Sequence, residues 1–205
     1  MKMYQHFFKP LLDKLSAILG LIVISPIFIL TTLLLTIANK GKPFFIQERG
    51  GKNKTVFKII KFKTMNDKKD ANGNLLPDKQ RLTKIGNFVR NTSLDEIPQL
   101  INIIKGDMSL IGPRPMLAEY LSIYNDHQIQ RLNVKPGITG WAQINGRNNL
   151  TFNKKFDLDI WYINNLSFKL DIKILFLTLI KIFSTLDVNQ DGNLEVTAEK
   201  FNGKN

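Results

Sequence analysis

The hydrophobic pattern divides the chain into one long apolar run and a succession of short ones. From Leu15 to Ala38 there are 24 consecutive residues without a charge, enough to cross a hydrocarbon core of roughly 30 Å. Beyond it the apolar stretches shorten. Pro43–Gln47 and Val56–Met65 are rich in Phe, Ile and Val and predict two strands, which the turn at Gly50, Gly51, Lys52 and Asn53 joins into a hairpin. Asp67–Asp78 is polar, carries an Asn72-Gly73 turn signal and predicts an exposed loop. Ile97, Leu100, Ile101 and Ile104 make one helical stripe that stops at Gly106. Leu170–Phe183 is apolar but carries Lys173 and Lys181, so it is too short and too charged for a second span. It reads as an interfacial helix lying in the membrane plane, with Trp161 and Tyr162 at headgroup depth, or else as a buried core helix.

Ser25-Pro26 stands at the middle of the long run. Pro26 has no N–H for the Ile22 carbonyl and its ring crowds that turn, so the helix must kink or break there. Both flanks are basic, with Lys2, Lys9 and Lys14 before the run and Lys40, Lys42 and Lys52 after it. The positive-inside rule places both flanks on the cytoplasmic side. A helix–break–helix that enters and leaves by one face satisfies the proline and the charges together, with Ser25 and Pro26 at the turning point and the Ser25 hydroxyl free to bond a released carbonyl. A proline-kinked ordinary span is the alternative. A cleavable signal peptide fits poorly, because the apolar run is too long and no small-residue cleavage site follows it.

Composition narrows the chemistry. The 205 residues suit one domain plus an appendage, and 43% hydrophobic content is too apolar for a disordered basic tail. With no cysteine and only two histidines, disulfides, a thiol nucleophile, an iron–sulfur cluster and a cysteine-bound zinc are excluded. Any metal should therefore be a hard cation held by oxygens. The formal net charge is +12, and residues 40–90 contain fourteen Lys or Arg against four acids. Such a field beside a membrane segment attracts anionic headgroups and phosphate-bearing ligands. It also admits a second reading, a membrane-anchored basic protein that grips anionic lipid or nucleic acid.

Residues 90–115, RNTSLDEIPQLINIIKGDMSLIGPRP, are the richest in chemistry. Asp95 and Glu96 are adjacent carboxylates at the start of a helix, where they face different partners: one can attack while the other holds a metal. Ser93 and Glu96 also match a capping box, a purely structural use. Arg90, together with Arg114 held between Pro113 and Pro115, supplies guanidinium forks suited to phosphate oxygens. A carboxylate attacking a diphosphate needs cations between the two, Arg, Lys and Mg²⁺. The glycine-punctuated stretch 135–148, with Gln143 and Arg147, has the composition of a ligand-lining loop. Asp187–Ala198 matches the first half of a calcium loop, but Ala198 stands where a bidentate Glu belongs, so a polar turn is expected there.

Taken together, Ser25-Pro26 in the apolar helix and the blocks KIIKFKTM (58–65), SLDE (93–96), KGDMSLIGPRP (105–115), KPGITGWAQINGRN (135–148) and EKFNGKN (199–205) resemble the small bacterial monotopic phosphoglycosyl transferases over nearly the whole chain. Within them the likeness is strongest to the enzymes that start a lipid-linked oligosaccharide for N-linked protein glycosylation. The resemblance implies a small α/β (α+β) membrane-associated domain with a re-entrant helix (1–39), a catalytic domain with short strands and interfacial helices (40–185) and a C-terminal tail (186–205). It implies residence on the cytoplasmic face of the bacterial inner membrane. The reaction implied is transfer of a phosphosugar from a UDP-sugar, with UDP-N,N'-diacetylbacillosamine or a related acetamido sugar first, to undecaprenyl phosphate, releasing UMP. Asp95 would be the nucleophile, Glu96 its assistant as base or in ordering Mg²⁺, and both would be the metal's protein ligands. Lys61, Arg90, Arg114, Arg147 and Gln143 would bind phosphate or nucleotide. Nucleic acid is not an expected partner on this reading.

Overall fold

The computed structural model describes residues 3–146, 150–183 and 200–203. Arg147, Asn148 and the Asp187–Ala198 segment fall outside the described residues.

A π-helical turn, Tyr4–Phe8, leads into a 30-residue helix, α1 (Lys9–Ala38), roughly 45 Å long at 1.5 Å per residue. The sequence predicts a kink or a break at Ser25-Pro26; the helix is not broken but continues through Pro26. The Ser25 hydroxyl donates to the Ile22 carbonyl at 2.7 Å, which is the carbonyl that the missing proline N–H leaves without a partner. Thr32 and Thr36 bond back to the carbonyls of Phe28 and Thr32 in the same way.

Both ends of α1 rest on the body of the protein. Near the N-terminal end Lys9 pairs with Asp171 at 2.8 Å and Asp13 accepts from the Ser109 hydroxyl at 2.6 Å. Ala17 packs with Phe57 and Ile59, and Leu35 with Phe62 and Val89. At the C-terminal end the Asn39 amide donates to the Lys63 carbonyl at 2.6 Å. The other side of the helix, including Leu19, Ile22, Val23, Ile27, Leu30 and Ile37, is exposed and apolar. Lys9, expected to be a membrane-flanking charge, is buried instead, because Asp171 neutralises it within the core.

The expected hairpin forms from β1 (Phe44–Gly50) and β2 (Val56–Phe62), antiparallel with Phe44 opposite Phe62 and Gly50 opposite Val56. Asn53 and Lys54 take the positive φ values that the tight turn needs. The 67–78 loop follows, closed by a bridge between Lys69 and Leu75 and by the Asp70 carboxylate, which accepts from the Asn72 and Asn74 N–H groups, and then α2 (Asp78–Arg81) and α3 (Lys84–Asn91). A 3₁₀ turn over Leu94–Glu96 precedes α4 (Gln99–Lys105), which Gly106 ends at φ +91°. The deepest face of α4 is Gln99, Asn102 and Ile103 rather than the predicted stripe. Asn102 explains the difference: its amide bonds the β2 backbone at Ile60 N and Lys58 O, so a polar residue faces the sheet. Leu100 and Ile104 pack partly buried beside Ala17 and Ile103.

A second small sheet pairs β3 (Ser109–Ile111) in parallel with β4 (Gly137–Thr139). The two backbones pass so closely that a Cβ on Gly137 would lie 2.1 Å from the Gly112 nitrogen. Glycine is required at this crossing for space.

α5 (Trp141–Ile144), α6 (Phe152–Asn164) and α7 (Phe168–Phe183) complete the body. Tyr162, assigned from sequence to headgroup depth, is a core residue at 1% exposure, its hydroxyl held by Asp171. Trp161 is partly exposed and stacks on Trp141. α7 is apolar on two sides. Ile174 is fully buried, whereas Phe168, Ile172, Phe176, Leu179 and Ile180 form an exposed stripe. The described part of the expected tail is folded in: Phe201 is buried among the rings of Tyr120, Tyr124, Phe152 and Phe156. The architecture is thus mixed α and β, with one helix among the described residues long and apolar enough to cross a membrane.

Candidate active site

The site lies where β2, the turn before α4 and the Gly-Pro-Arg-Pro loop converge. Ser93 adopts a left-handed conformation at φ +56° and makes no side-chain cap, so the capping box permitted by the sequence is not formed. Glu96 turns to two cations instead. Its Oε1 accepts from Lys61 Nζ at 2.7 Å and from Arg114 at 2.9 Å. Burial by itself would push this carboxyl up, but Arg114 and Lys61 outweigh it and hold it down at about 2. Lys61 responds oppositely: burial, followed by repulsion from Arg114, outweighs the pull of Glu96 and pushes its ammonium down.

Asp95 is half-buried and its carboxylate has no hydrogen-bond or ion-pair partner among the described residues. Burial is the main influence and raises its pKa above the ordinary carboxylate value, and the negative Glu96 acts the same way, while Lys61, Arg90 and Arg114 oppose them. Arg90, on α3, is held by the Thr64 hydroxyl at 3.0 Å. The result is one carboxylate already committed to organising cations and a second that is uncommitted in their field.

Arg114 is positioned by more than its prolines. Arg131, buried with its partner Asp159, donates to the Arg114 carbonyl at 2.7 Å, and Arg49 donates to the Pro115 carbonyl at 3.3 Å. Neither arginine stood out in the sequence, because each acts through tertiary contacts to a distant loop. A cleft of ≈ 240 Å³ opens beside Arg114, lined by Met116, Gln143, Phe152, Lys155 and Asp159 among others. Gln143 and Arg114 thus line one cleft, with the Gln143 Oε1 buried and unpartnered while its Nε2 reaches the Ile138 carbonyl. Lys155, whose ammonium lies 5.0 Å from the Phe152 ring centre and is pushed down by burial, is a cleft residue that no motif signalled.

For a divalent cation, the described residues hold no cluster of three His, Cys, Asp or Glu. A Mg²⁺ would find the unpartnered Asp95 carboxylate, with Glu96 beside it, and one or two carboxylates of this kind would be completed by substrate phosphate oxygens and water. Several cations of the basic field have internal partners: Lys61 pairs with Glu96, Lys63 with Asp67, and Arg81 with Asp78. Part of that field is therefore structural, and not a free surface for polyanions.

Comparison with known proteins gives the family. The bacterial sugar transferase family matches residues 4–185. The chain is 50% identical over 193 residues to the uncharacterized sugar transferase EpsL of Bacillus subtilis, covering 94% of this chain and 95% of that protein. It is 43% identical over 192 residues to the galactosyl transferase CpsE of Streptococcus agalactiae, covering 86% of this chain and 42% of that protein. It is 40% identical over 183 residues to the UDP-glucose:undecaprenyl-phosphate glucose-1-phosphate transferase of Escherichia coli, covering 83% of this chain and 39% of that protein. With the family match spanning every described element of the site, the chain is a transferase and belongs to the bacterial sugar transferase family.

Proposed function

We propose that the protein transfers a sugar 1-phosphate from a UDP-sugar to undecaprenyl phosphate and releases UMP, with Asp95 as the covalent nucleophile. The observation that carries this reading is the division of labour between adjacent carboxylates: Glu96 is spent on Lys61 and Arg114, and Asp95 has no partner of its own. In the first step an Asp95 oxygen attacks the β-phosphorus, an acyl–phosphate bond forms, and the bond from that phosphorus to the bridging oxygen breaks, so UMP leaves with the electron pair. In the second step an oxygen of the lipid phosphate attacks the same phosphorus and Asp95 departs as carboxylate. Reacting in turn keeps two polyanionic substrates from crowding one site and predicts ping-pong kinetics.

Lys61, Arg90 and Arg114 neutralise the phosphates and let the carboxylate approach; Arg147 and Gln143 join them as nucleotide or phosphate contacts. Glu96, strongly acidic and doubly paired, serves to fix Lys61 and Arg114 and is a poor base. Mg²⁺, held by Asp95 and Glu96 with substrate oxygens, would supply further charge neutralisation.

The setting is the cytoplasmic leaflet of the inner membrane. Both ends of α1 dock on one body, and its exposed apolar side and the stripe on α7 offer apolar surface to lipid. These features favour a re-entrant, monotopic attachment over a span. Such an attachment brings a soluble nucleotide and a lipid phosphate at headgroup depth within reach of one carboxylate. The product would be the first lipid-linked sugar of a glycoconjugate. The sequence blocks favour a UDP-acetamido sugar, UDP-N,N'-diacetylbacillosamine first, and the names of the relatives bring UDP-glucose and a galactosyl donor into the same comparison.

The test is UMP release with this panel of donors and undecaprenyl phosphate, with and without Mg²⁺, followed by mass spectrometry of protein incubated with donor alone. A phosphosugar adduct on Asp95 is expected. Efficient transfer with no adduct under conditions that preserve acyl phosphates would overturn the mechanism.

A further inference from the structure

Arg114 also borders a second and much smaller cavity of ≈ 20 Å³, lined by Arg49, Ile59, Lys61, Gln99, Arg114 and Pro115. Its volume is close to what one water-sized atom occupies, about 10–15 Å³. Two buried nitrogens on its lining residues, Arg49 Nε and Gln99 Nε2, have no hydrogen-bond partner. Gln99 is itself 2% exposed. Each such orphaned donor is costly in a finished fold, and a pair on one cavity calls for an acceptor.

The charges point the same way. Arg49 gives its terminal nitrogens to neutral acceptors, Gln47 Oε1 and the Pro115 carbonyl, and no carboxylate pairs with it among the described residues. Burial and then the neighbouring Arg114 press its guanidinium down from the usual range. Arg114 and Lys61 share a single carboxylate oxygen, Glu96 Oε1. Three cations therefore surround a hole next to one carboxylate that is already doubly paired, and positive charge is in excess where burial makes it costly.

We propose that Arg49 and Gln99 form a seat for one anionic phosphate oxygen, completing with Lys61 and Arg114 the cationic wall of the site. A phosphate oxygen has lone pairs and no hydrogens, so it accepts from several donors at once; a water must also donate, and the two orphaned nitrogens have nothing to receive. The inference deepens the phosphosugar-transfer reading and rests on it. The oxygen belongs either to the donor diphosphate or to the lipid phosphate, and the two half-reactions separate these sources.

The experiment uses the full chain in detergent with Gln99→Leu, Gln99→Glu and Arg49→Lys. UDP affinity and the affinity for polyprenyl phosphate are measured by calorimetry, and KM for each substrate by UMP release. Gln99→Leu, close in size and without a donor, should weaken one of the two by about tenfold, the loss of one charge-assisted hydrogen bond. Weaker UDP binding assigns the seat to the donor, and weaker lipid-phosphate binding to the acceptor. Gln99→Glu places a carboxylate in the seat, so it should raise the melting temperature while nearly abolishing binding of the same substrate. Arg49→Lys should keep part of the affinity. Unchanged affinities and KM values in both Gln99 variants, with only the melting temperature altered, would show a structural Arg49–Gln99 pair formed by turning over the amide, and would overturn the proposal. Absence of UMP release from the wild-type protein would instead overturn the transfer reading itself.

Discussion

Asp95 and Glu96, joined by one peptide bond, are driven apart in acidity by their surroundings: two cations meeting on Glu96 Oε1 hold that carboxyl down to about 2, and burial raises Asp95 above the ordinary carboxylate value. Environments that separate two neighbouring acids are how a fold assigns them different work. The nucleophile is the one that is desolvated and unpaired, and the organiser is the one that is paired.

Replacing Asp95 by Asn should abolish the phosphosugar adduct and lower turnover by at least about a thousandfold, the scale of losing a covalent nucleophile. Because burial disfavours the charged carboxylate, the same change should leave the melting temperature unchanged or raise it. Adduct mass spectrometry and a thermal melt on one preparation check both halves.

The pH dependence follows from the two directions. Asp95 has a raised folded value, so its carboxylate, and with it kcat/KM, should fall away on acidification at a higher pH than an ordinary Asp, while its contribution to stability runs the other way. Glu96 has a depressed folded value: its stabilisation is fully present above about 4.5 and is lost only as pH falls through about 2. Activity should therefore disappear in acid before the fold does. On the alkaline side, the lowered Lys61 should bring the descending limb in below the usual lysine range. A rate profile beside a denaturation profile over the same pH range tests this order.

Glu96→Gln leaves Lys61 and Arg114 without their shared anion. The expected cost is about 1–3 kcal/mol of stability, together with a fall in kcat greater than the change in KM for lipid phosphate, since the cations lose their placement more than their charge. Urea denaturation and steady-state kinetics measure the two.

Lys9→Met removes the cation from a buried cluster in which Asp171 also accepts from Tyr4 and Tyr162. Leaving Asp171 charged and without its ammonium should destabilise the protein by about 3–5 kcal/mol, and Asp171→Asn in the same background should restore part of it. Proteolytic sensitivity of the junction between α1 and α7 reports the effect independently of activity.

Ser25→Ala exposes the Ile22 carbonyl in the apolar middle of α1, at a cost of about 1 kcal/mol, with the attachment preserved. Single cysteines at Lys2 and Lys42 should both react with an impermeant thiol reagent from the cytoplasmic side only. Labelling of either from the far side would establish a span.

Local signals in the sequence were enough for the long apolar helix, the Ser25 hydroxyl at the proline, the hairpin, the Gly106 stop and the candidate chemistry of Asp95, Glu96, Arg90 and Arg114. Each of these depends on hydrophobic periodicity or on residues close together along the chain. Tertiary structure alone decided that α1 runs on through Pro26 and rests on the body at both ends, that Lys9 and Tyr162 are core residues, and that Glu96 rather than Asp95 takes the cations. It also decided that Arg49, Arg131 and Gln99 belong around the Arg114 loop. Those outcomes depend on which charges meet after burial, and the free energy of a buried charge is set by partners tens to more than a hundred residues away, which no local pattern encodes.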